Sequence, residues 1–240
     1  MGVVTDWAVL DTPEEPMRMY MARPEGGIAG PGVLVIHDIF GLTEHIQDVC
    51  RRFADEGFVA LAPDLYHRYP VKTYDYGDGS GALGQRSRLS SVNILDDLSL
   101  AFRFLAARGE VRSGLVGAVG FCSGGRDAFF LATQNPDLLA AVSFYGPLAP
   151  DQPESPLRLA SGLEAPLLLI FAEQDHLIPP SEVALVHDTL AKFGKEHETM
   201  THAGVAHGFF CDARPDSYAP EAAAEAWTRT IDFLYEKLEG

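Results

Sequence analysis

The strongest constraint on the fold is a repeated order along the chain: short aliphatic runs, each sized for one strand, alternate with longer stretches of helical spacing. The runs are VLVI within residues 30–41, FVALAP at 58–63, LVGAVGF at 115–121, residues 140–145 and APLLLIFA at 165–172. Ile46, Val49, Cys50 and Phe53 share a helical face over 44–56, and Ile94, Leu98, Phe102 and Leu105 do so over 93–108. Helices are also expected over 124–133, 181–193 and 220–238, the last with Pro220 in its first turn and Trp227, Ile231 and Leu234 on one side. MRMYMA at 17–22 reads as an early, partly exposed strand and EHETMTH at 196–202 as a polar edge strand. Residues 67–87 mix glycine, proline, tyrosine and charge without a period, which predicts a loop or a partly helical excursion able to line a pocket. Buried strands alternating with helices need cover on both sides, so the fold class is α/β with a mostly parallel central sheet and helices on both faces. No repeat or linker interrupts the series, and residues 1–240 read as a single domain.

Charge narrows the function. Eighteen basic against thirty-four acidic side chains leave a net charge of −16, a field that repels phosphate and argues against nucleic acid or an anionic membrane as partner. No apolar run is long enough for a membrane span, and no basic segment precedes an apolar one at the start, so a cytoplasmic location is expected. The Met-Gly opening does not complete a myristoylation signal, because Asp6 stands where Ser or Thr is required. Cys50, Cys122 and Cys211 are too few and too far apart for a disulfide framework or a metal clip.

The run LVGAVGF leads directly into Cys122, giving Gly120-Phe121-Cys122-Ser123-Gly124. This G-x-C-x-G pattern matches the strand-to-helix elbow on which a nucleophile is exposed, with glycines relieving backbone crowding and the next amide aimed at an oxyanion. A thiol at such a place gains from a helix N-terminus and from an imidazolium partner. The competing reading is an inert buried cysteine whose glycines serve packing alone. Asp175 follows the APLLLIFA run in a turn where it can orient an imidazole, or simply face solvent as a turn carboxylate. His207 lies in a late loop, with Gly208 giving that loop freedom to aim the ring. Cys122, Asp175 and His207 thus follow the nucleophile–acid–histidine order of an α/β hydrolase. His37, His176 and His202 are the competing histidines and suit structural or substrate-contact roles better than proton transfer. At the first elbow, His37–Gly41, the backbone can supply a second oxyanion donor, so the amides of Ile39 and Ser123 are assigned to that hole. Asp38 either modulates the thiol or is an acidic turn residue.

Taken in order, VLVIHDIFGLTEHIQ, FVALAPDLYHR, VGAVGFCSGG, LLLIFAEQDHLIPP and HAGVAHGFF resemble the dienelactone hydrolase family of the α/β hydrolase superfamily over most of the chain. The resemblance implies Cys122 as acylating nucleophile, His207 as general base and acid, Asp175 as orienting carboxylate, and hydrolysis of a small ester or lactone through an acyl-enzyme. The family's first-elbow carboxylate, often glutamate, corresponds to Asp38 here. Arginines contact an anionic substrate in such enzymes. The position four residues beyond His207 is Cys211, with Arg214 three further on, while Arg86 and Arg88 lie in the irregular segment and serve either substrate or solubility. No metal or redox cofactor is called for, and a monomer is expected. The rival readings are a non-catalytic small-molecule binder on a hydrolase scaffold and a redox-regulatory cysteine protein.

Overall fold

A computed structural model describes residues 2–27, 29–148 and 155–240. It divides into two compact units, Met1–Ala118 and Val119–Gly240.

In the first unit, β1 (Val3–Leu10), β2 (Met17–Pro24), β3 (Gly30–Ile36) and β4 (Val59–Pro63) pair in the order β1-β2-β4-β3. The first two pairings are antiparallel, with Trp7 opposite Tyr20 and Met21 opposite Leu61, and β3 runs parallel to β4 with Leu34 opposite Leu61. β3 and β4 are buried at every residue, which is why they read as runs without a polar side chain. β1 was not expected. None of its residues is fully buried, and its polar positions Thr5 and Asp6 hide the alternation that marks a strand. Helix α1 (Glu44–Asp55) buries Ile46, Val49, Cys50 and Phe53 against β2, β3 and β4. Each of the Ile, Val and Phe side chains withdrawn from water contributes roughly 1.5–3 kcal/mol. The irregular segment holds a short helix, α2 (Gly79–Arg86), capped by Asp78, whose side chain accepts from the Gly81 amide. Helix α3 (Ser91–Ala106), capped by Ser90, packs on β3 and β4.

The unit boundary falls inside β5 (Val111–Phe121), whose second half is wholly buried. The second unit continues with α4 (Ser123–Gln134), β6 (Ala140–Phe144), a 3-10 turn at Pro156–Gly162, β7 (Leu167–Ala172), α5 (Pro180–Lys192), β8 (His197–His202) and α6 (Pro220–Glu239). β6, β7 and β8 are parallel neighbours, so the turns following them emerge at the same sheet end. α4 packs on β6, and α6 packs on β6 and β7. An aromatic cluster lies beneath those turns: the rings of Phe121 and Phe144 are 4.8 Å apart, Phe121 and Phe210 5.2 Å, Phe144 and Phe210 4.9 Å, and Phe210 and Trp227 6.0 Å. Such pairs add about 0.5–1.5 kcal/mol each beyond burial and hold the chain on either side of the turns in one geometry. No helix among the described residues is long and apolar enough to cross a membrane.

Candidate active site

β5 ends at Phe121, and Cys122 caps α4 with φ 53° and ψ −119°, a backbone state L-residues rarely adopt. A non-glycine residue there carries about 1–3 kcal/mol of strain. The surroundings fix it. The Cys122 amide donates to the Phe144 carbonyl at 3.0 Å, and the Cys122 carbonyl accepts from the amides of Gly125 at 2.9 Å and Arg126 at 3.2 Å. The turn closes only because Gly120 lacks a side chain: a Cβ there would stand 1.9 Å from the Gly124 carbonyl oxygen. A Cβ on Gly125 would meet the Ser143 hydroxyl at 2.8 Å and the Phe144 carbonyl at 2.9 Å, so the start of α4 is pressed against β6. Cys122 is half-buried, with Ser123 as the first helical residue, so its amide lies in the first turn, where N–H groups have no intrahelical carbonyl to meet. Cys50 and Cys211 are buried, and burial pushes the Cys50 thiol far above its ordinary range.

Asp175 follows β7 in a tight turn. Its Oδ1 accepts from the Leu177 amide at 2.8 Å, and its Oδ2 lies 2.7 Å from Nδ1 of His207. A carboxylate accepts only, so Nδ1 carries the proton and Nε2 presents a lone pair. That Nε2 is buried and has no hydrogen-bond partner among the described residues. The two loops are tied by backbone: the Glu173 amide donates to the His202 carbonyl and the Gln174 amide to the Val205 carbonyl, each at 2.9 Å, while Glu173 Oε2 accepts from the Gly204 amide at 2.8 Å. Gly208, at φ +83°, turns the chain just past His207.

Tyr145 was not expected from the sequence. It follows β6 at φ 39°, and its buried ring meets that of His207 edge-on at 4.9 Å. Its neighbour Phe144 holds the Cys122 amide, so this one strand end touches both the elbow and the imidazole. The signal available was Tyr145-Gly146 at a strand end, where a Cβ on Gly146 would stand 2.6 Å from the Arg126 amide nitrogen.

The competing histidines have different surroundings. His37 donates from Nδ1 to the Asp38 carbonyl at 2.7 Å and accepts at Nε2 from the Leu65 amide at 3.2 Å, and burial depresses its pKa to about 4. It is a neutral clamp. His176 is exposed, 6.5 Å ring to ring from His207. His202 Nε2 also has no hydrogen-bond partner among the described residues, but its carboxylate neighbour Glu225 is solvent-exposed and 3.5 Å away, and the ring packs on Phe209.

At the first elbow Asp38 is buried, and its Oδ1 accepts from the Phe40 amide at 2.8 Å. The Ile39 carbonyl accepts from the Tyr66 hydroxyl at 2.7 Å, and Gly41 turns at φ +87° with the Lys72 carbonyl so close that a Cβ would stand 2.2 Å from it. Arg86 is near enough to this elbow to depress the His37 pKa further, whereas Arg88 stacks on the Tyr69 ring at 5.2 Å. Arg214 lies against the backbone beside His207, since a Cβ on Gly208 would be 2.6 Å from its Nη1. No group of three or more metal-ligating side chains occurs among the described residues.

The model of the dienelactone hydrolase family matches residues 17–238. The chain belongs to the dienelactone hydrolase family. Among its family relatives, a protein of Escherichia coli strain K12 named "Putative carboxymethylenebutenolidase" is 33% identical over 240 residues, covering 97% of this chain and 87% of that one. "Protein usf" of Aquifex pyrophilus is 34% identical and covers 92% and 94%. Among solved structures, a "Putative Dienelactone Hydrolase" from Klebsiella pneumoniae superposes with a TM-score of 0.90 at 30% identity, over 98% of this chain and 100% of that one. The fold of this dienelactone hydrolase family member is accordingly that of an α/β hydrolase, with a mostly parallel central sheet and helices on both faces. Family membership makes the chain an enzyme of the carboxylic ester hydrolase class.

Proposed function

We propose that the chain hydrolyses a small ester or lactone through an acyl-enzyme on Cys122. The observation that carries this reading is the buried His207 imidazole, held by Asp175 at 2.7 Å through Nδ1, with Nε2 lacking a partner among the described residues. That is the protonation geometry a general base requires. The strained elbow at Cys122 supports the choice of nucleophile, because such a backbone persists only where the surroundings over-determine it, and it clusters at reactive positions.

In this reaction His207 Nε2 accepts the Cys122 thiol proton, and the positive end of α4 favours the charge that develops on sulfur. The thiolate attacks the carbonyl carbon and a tetrahedral oxyanion forms. We assign the Ser123 amide to it, and the family resemblance assigns the Ile39 amide as second donor. As the intermediate collapses, Nε2–H protonates the leaving alkoxide and leaves a thioester. Nε2 then takes a proton from water, hydroxide adds to the thioester, and the carboxylic acid departs as Cys122 recovers its proton. Asp175 keeps the imidazole in one tautomer and stabilises its charged form.

By the family resemblance Arg86, Arg88 and Arg214 are the candidate cations for an anionic substrate group; Arg88 stacks on the Tyr69 ring. Asp38, engaged by the Phe40 amide, is read as a shaper of the first elbow, and the family resemblance alone makes it a candidate modulator of the thiol. We read the two units as one functional domain, since the boundary falls within a strand rather than a linker. Steady-state assay of a panel of short-chain esters and lactones tests the function. Wild-type enzyme turns over at least one class and folded Cys122→Ala turns over none. Saturable binding without product across the whole panel contradicts the proposal and identifies a binder.

A further inference from the structure

We propose that His187 and His197 form a two-histidine surface site for a divalent d-block metal ion, Cu(II) foremost. His187 projects from α5 and His197 opens β8, and His187 Nδ1 lies 3.0 Å from His197 Nε2. Two nitrogens that each bind one ion at about 2.1 Å, at right angles, stand about 3.0 Å apart, so the rings are already spaced as neighbouring ligands. Their centroids are 5.0 Å apart with planes at 62°, so the rings do not stack, and a rotation of the exposed His187 side chain is needed to turn both lone pairs to one point.

His197 is oriented as a ligand would be. Its Nδ1 donates to the Lys195 carbonyl at 2.9 Å, which fixes the tautomer and leaves Nε2 a lone-pair donor. Without metal, His187 Nδ1–H donates to that lone pair. On binding, the ion takes both lone pairs and the His187 proton moves to its own Nε2, so no net proton is released. His187 is exposed and His197 half-buried, so the ion is reached from solvent. With no third protein ligand in a cluster among the described residues, water or a small chelating ligand fills the other positions. Two imidazoles in a tetragonal shell suit Cu(II) and then Ni(II), whereas structural Zn(II) calls for four enclosing ligands. The bound ion ties α5, which follows the Asp175 turn, to β8, which precedes the His207 loop.

The test is titration of the full chain with Cu(II) iminodiacetate, which keeps copper from thiols and leaves neighbouring positions open. Binding is followed by pulsed electron paramagnetic resonance and by thermal unfolding, in wild type, His187→Ala and His197→Ala. One equivalent should couple to two imidazole nitrogens and raise the thermal midpoint. Each variant should lose affinity at least about 10-fold, lose the midpoint shift, and keep wild-type hydrolysis without copper. Unchanged affinity in both variants, coupling to one imidazole in wild type, or copper held elsewhere overturns the proposal.

Discussion

Among the described residues, buried His67 and His207 each have a ring nitrogen near a buried aspartate oxygen, and the two pairs differ in whether a ring nitrogen is left without a hydrogen bond. His67 and Asp97 belong to the first unit. Nδ1 of His67 donates to the Glu15 carbonyl at 2.7 Å, and Nε2 lies 2.8 Å from Arg68 Nη1 and 3.2 Å from Asp97 Oδ2. Arg68 also grips Asp97 through both terminal nitrogens and binds Glu14. Burial raises the Asp97 pKa, but hydrogen bonds from His67 and Arg68 outweigh it and hold the carboxyl below its usual range. His207 and Asp175, in the second unit, share one hydrogen bond, and His207 Nε2 has no hydrogen-bond partner among the described residues. In the proposed mechanism a histidine beside a carboxylate is not enough. The second ring nitrogen must stay available, and His67 has none to offer.

The distinction is tested most severely by turnover. His207→Gln should lower kcat by at least about 10³-fold, and Asp175→Asn by about 10²-fold or more, with unfolding midpoints near wild type. His67→Gln should leave kcat per folded molecule unchanged. Equal kcat losses at His67 and His207 would erase the difference between the two pairs. The next effect is on stability. Asp97→Ala leaves the mostly buried Arg68 without its principal partner and should cost about 3–5 kcal/mol, or roughly 6–20 °C in Tm, measured by thermal unfolding.

A smaller effect is pH-dependent and concerns His37. Its folded pKa lies near 4, below the ordinary 6.5, so the unfolded chain takes up the proton first. Its contribution, on the order of 3 kcal/mol, is present in full above pH 6.5 and is lost as pH falls towards 4. Burial lowers the His202 pKa and acts in the same direction, whereas the raised pKa of buried Asp64 opposes both. The fall in stability measured by denaturant melts from pH 7 to pH 4 should be steep in wild type and flatter in His37→Gln. Parallel slopes would remove His37 as the cause.

Much of this architecture was legible in the sequence because burial on both sheet faces leaves a plain trace. β3, β4 and β7 carry no polar side chain, and the faces of α1, α3 and α6 repeat as a helix must. β1 was not legible, because an exposed antiparallel strand takes its pattern from pairing with β2 rather than from burial. α2 falls within the segment expected as a loop or a partly helical excursion, but its bounds were not legible: with four of its eight residues glycine or serine, GSGALGQR is set by the Asp78 cap and by burial of Ala82 and Gln85. At the site, the elbow and the order of acid and histidine could be read, since glycines on both sides of Cys122 directly after a buried strand mark a sharp turn into a helix. Tyr145 could not. Its role depends on a positive φ and on ring contact with His207, neither of which leaves a periodic mark.

Acyl transfer is assigned here to one sulfur. Rapid quenching of the enzyme with an activated ester, followed by intact-mass analysis and peptide mapping, locates the acyl group. A single acyl group is expected on the peptide bearing Cys122, accumulating in His207→Gln if deacylation slows more than acylation and absent in Cys122→Ala. Wild-type turnover by folded Cys122→Ala, or an acyl group mapped to Cys50, Cys211 or a serine, would contradict that assignment.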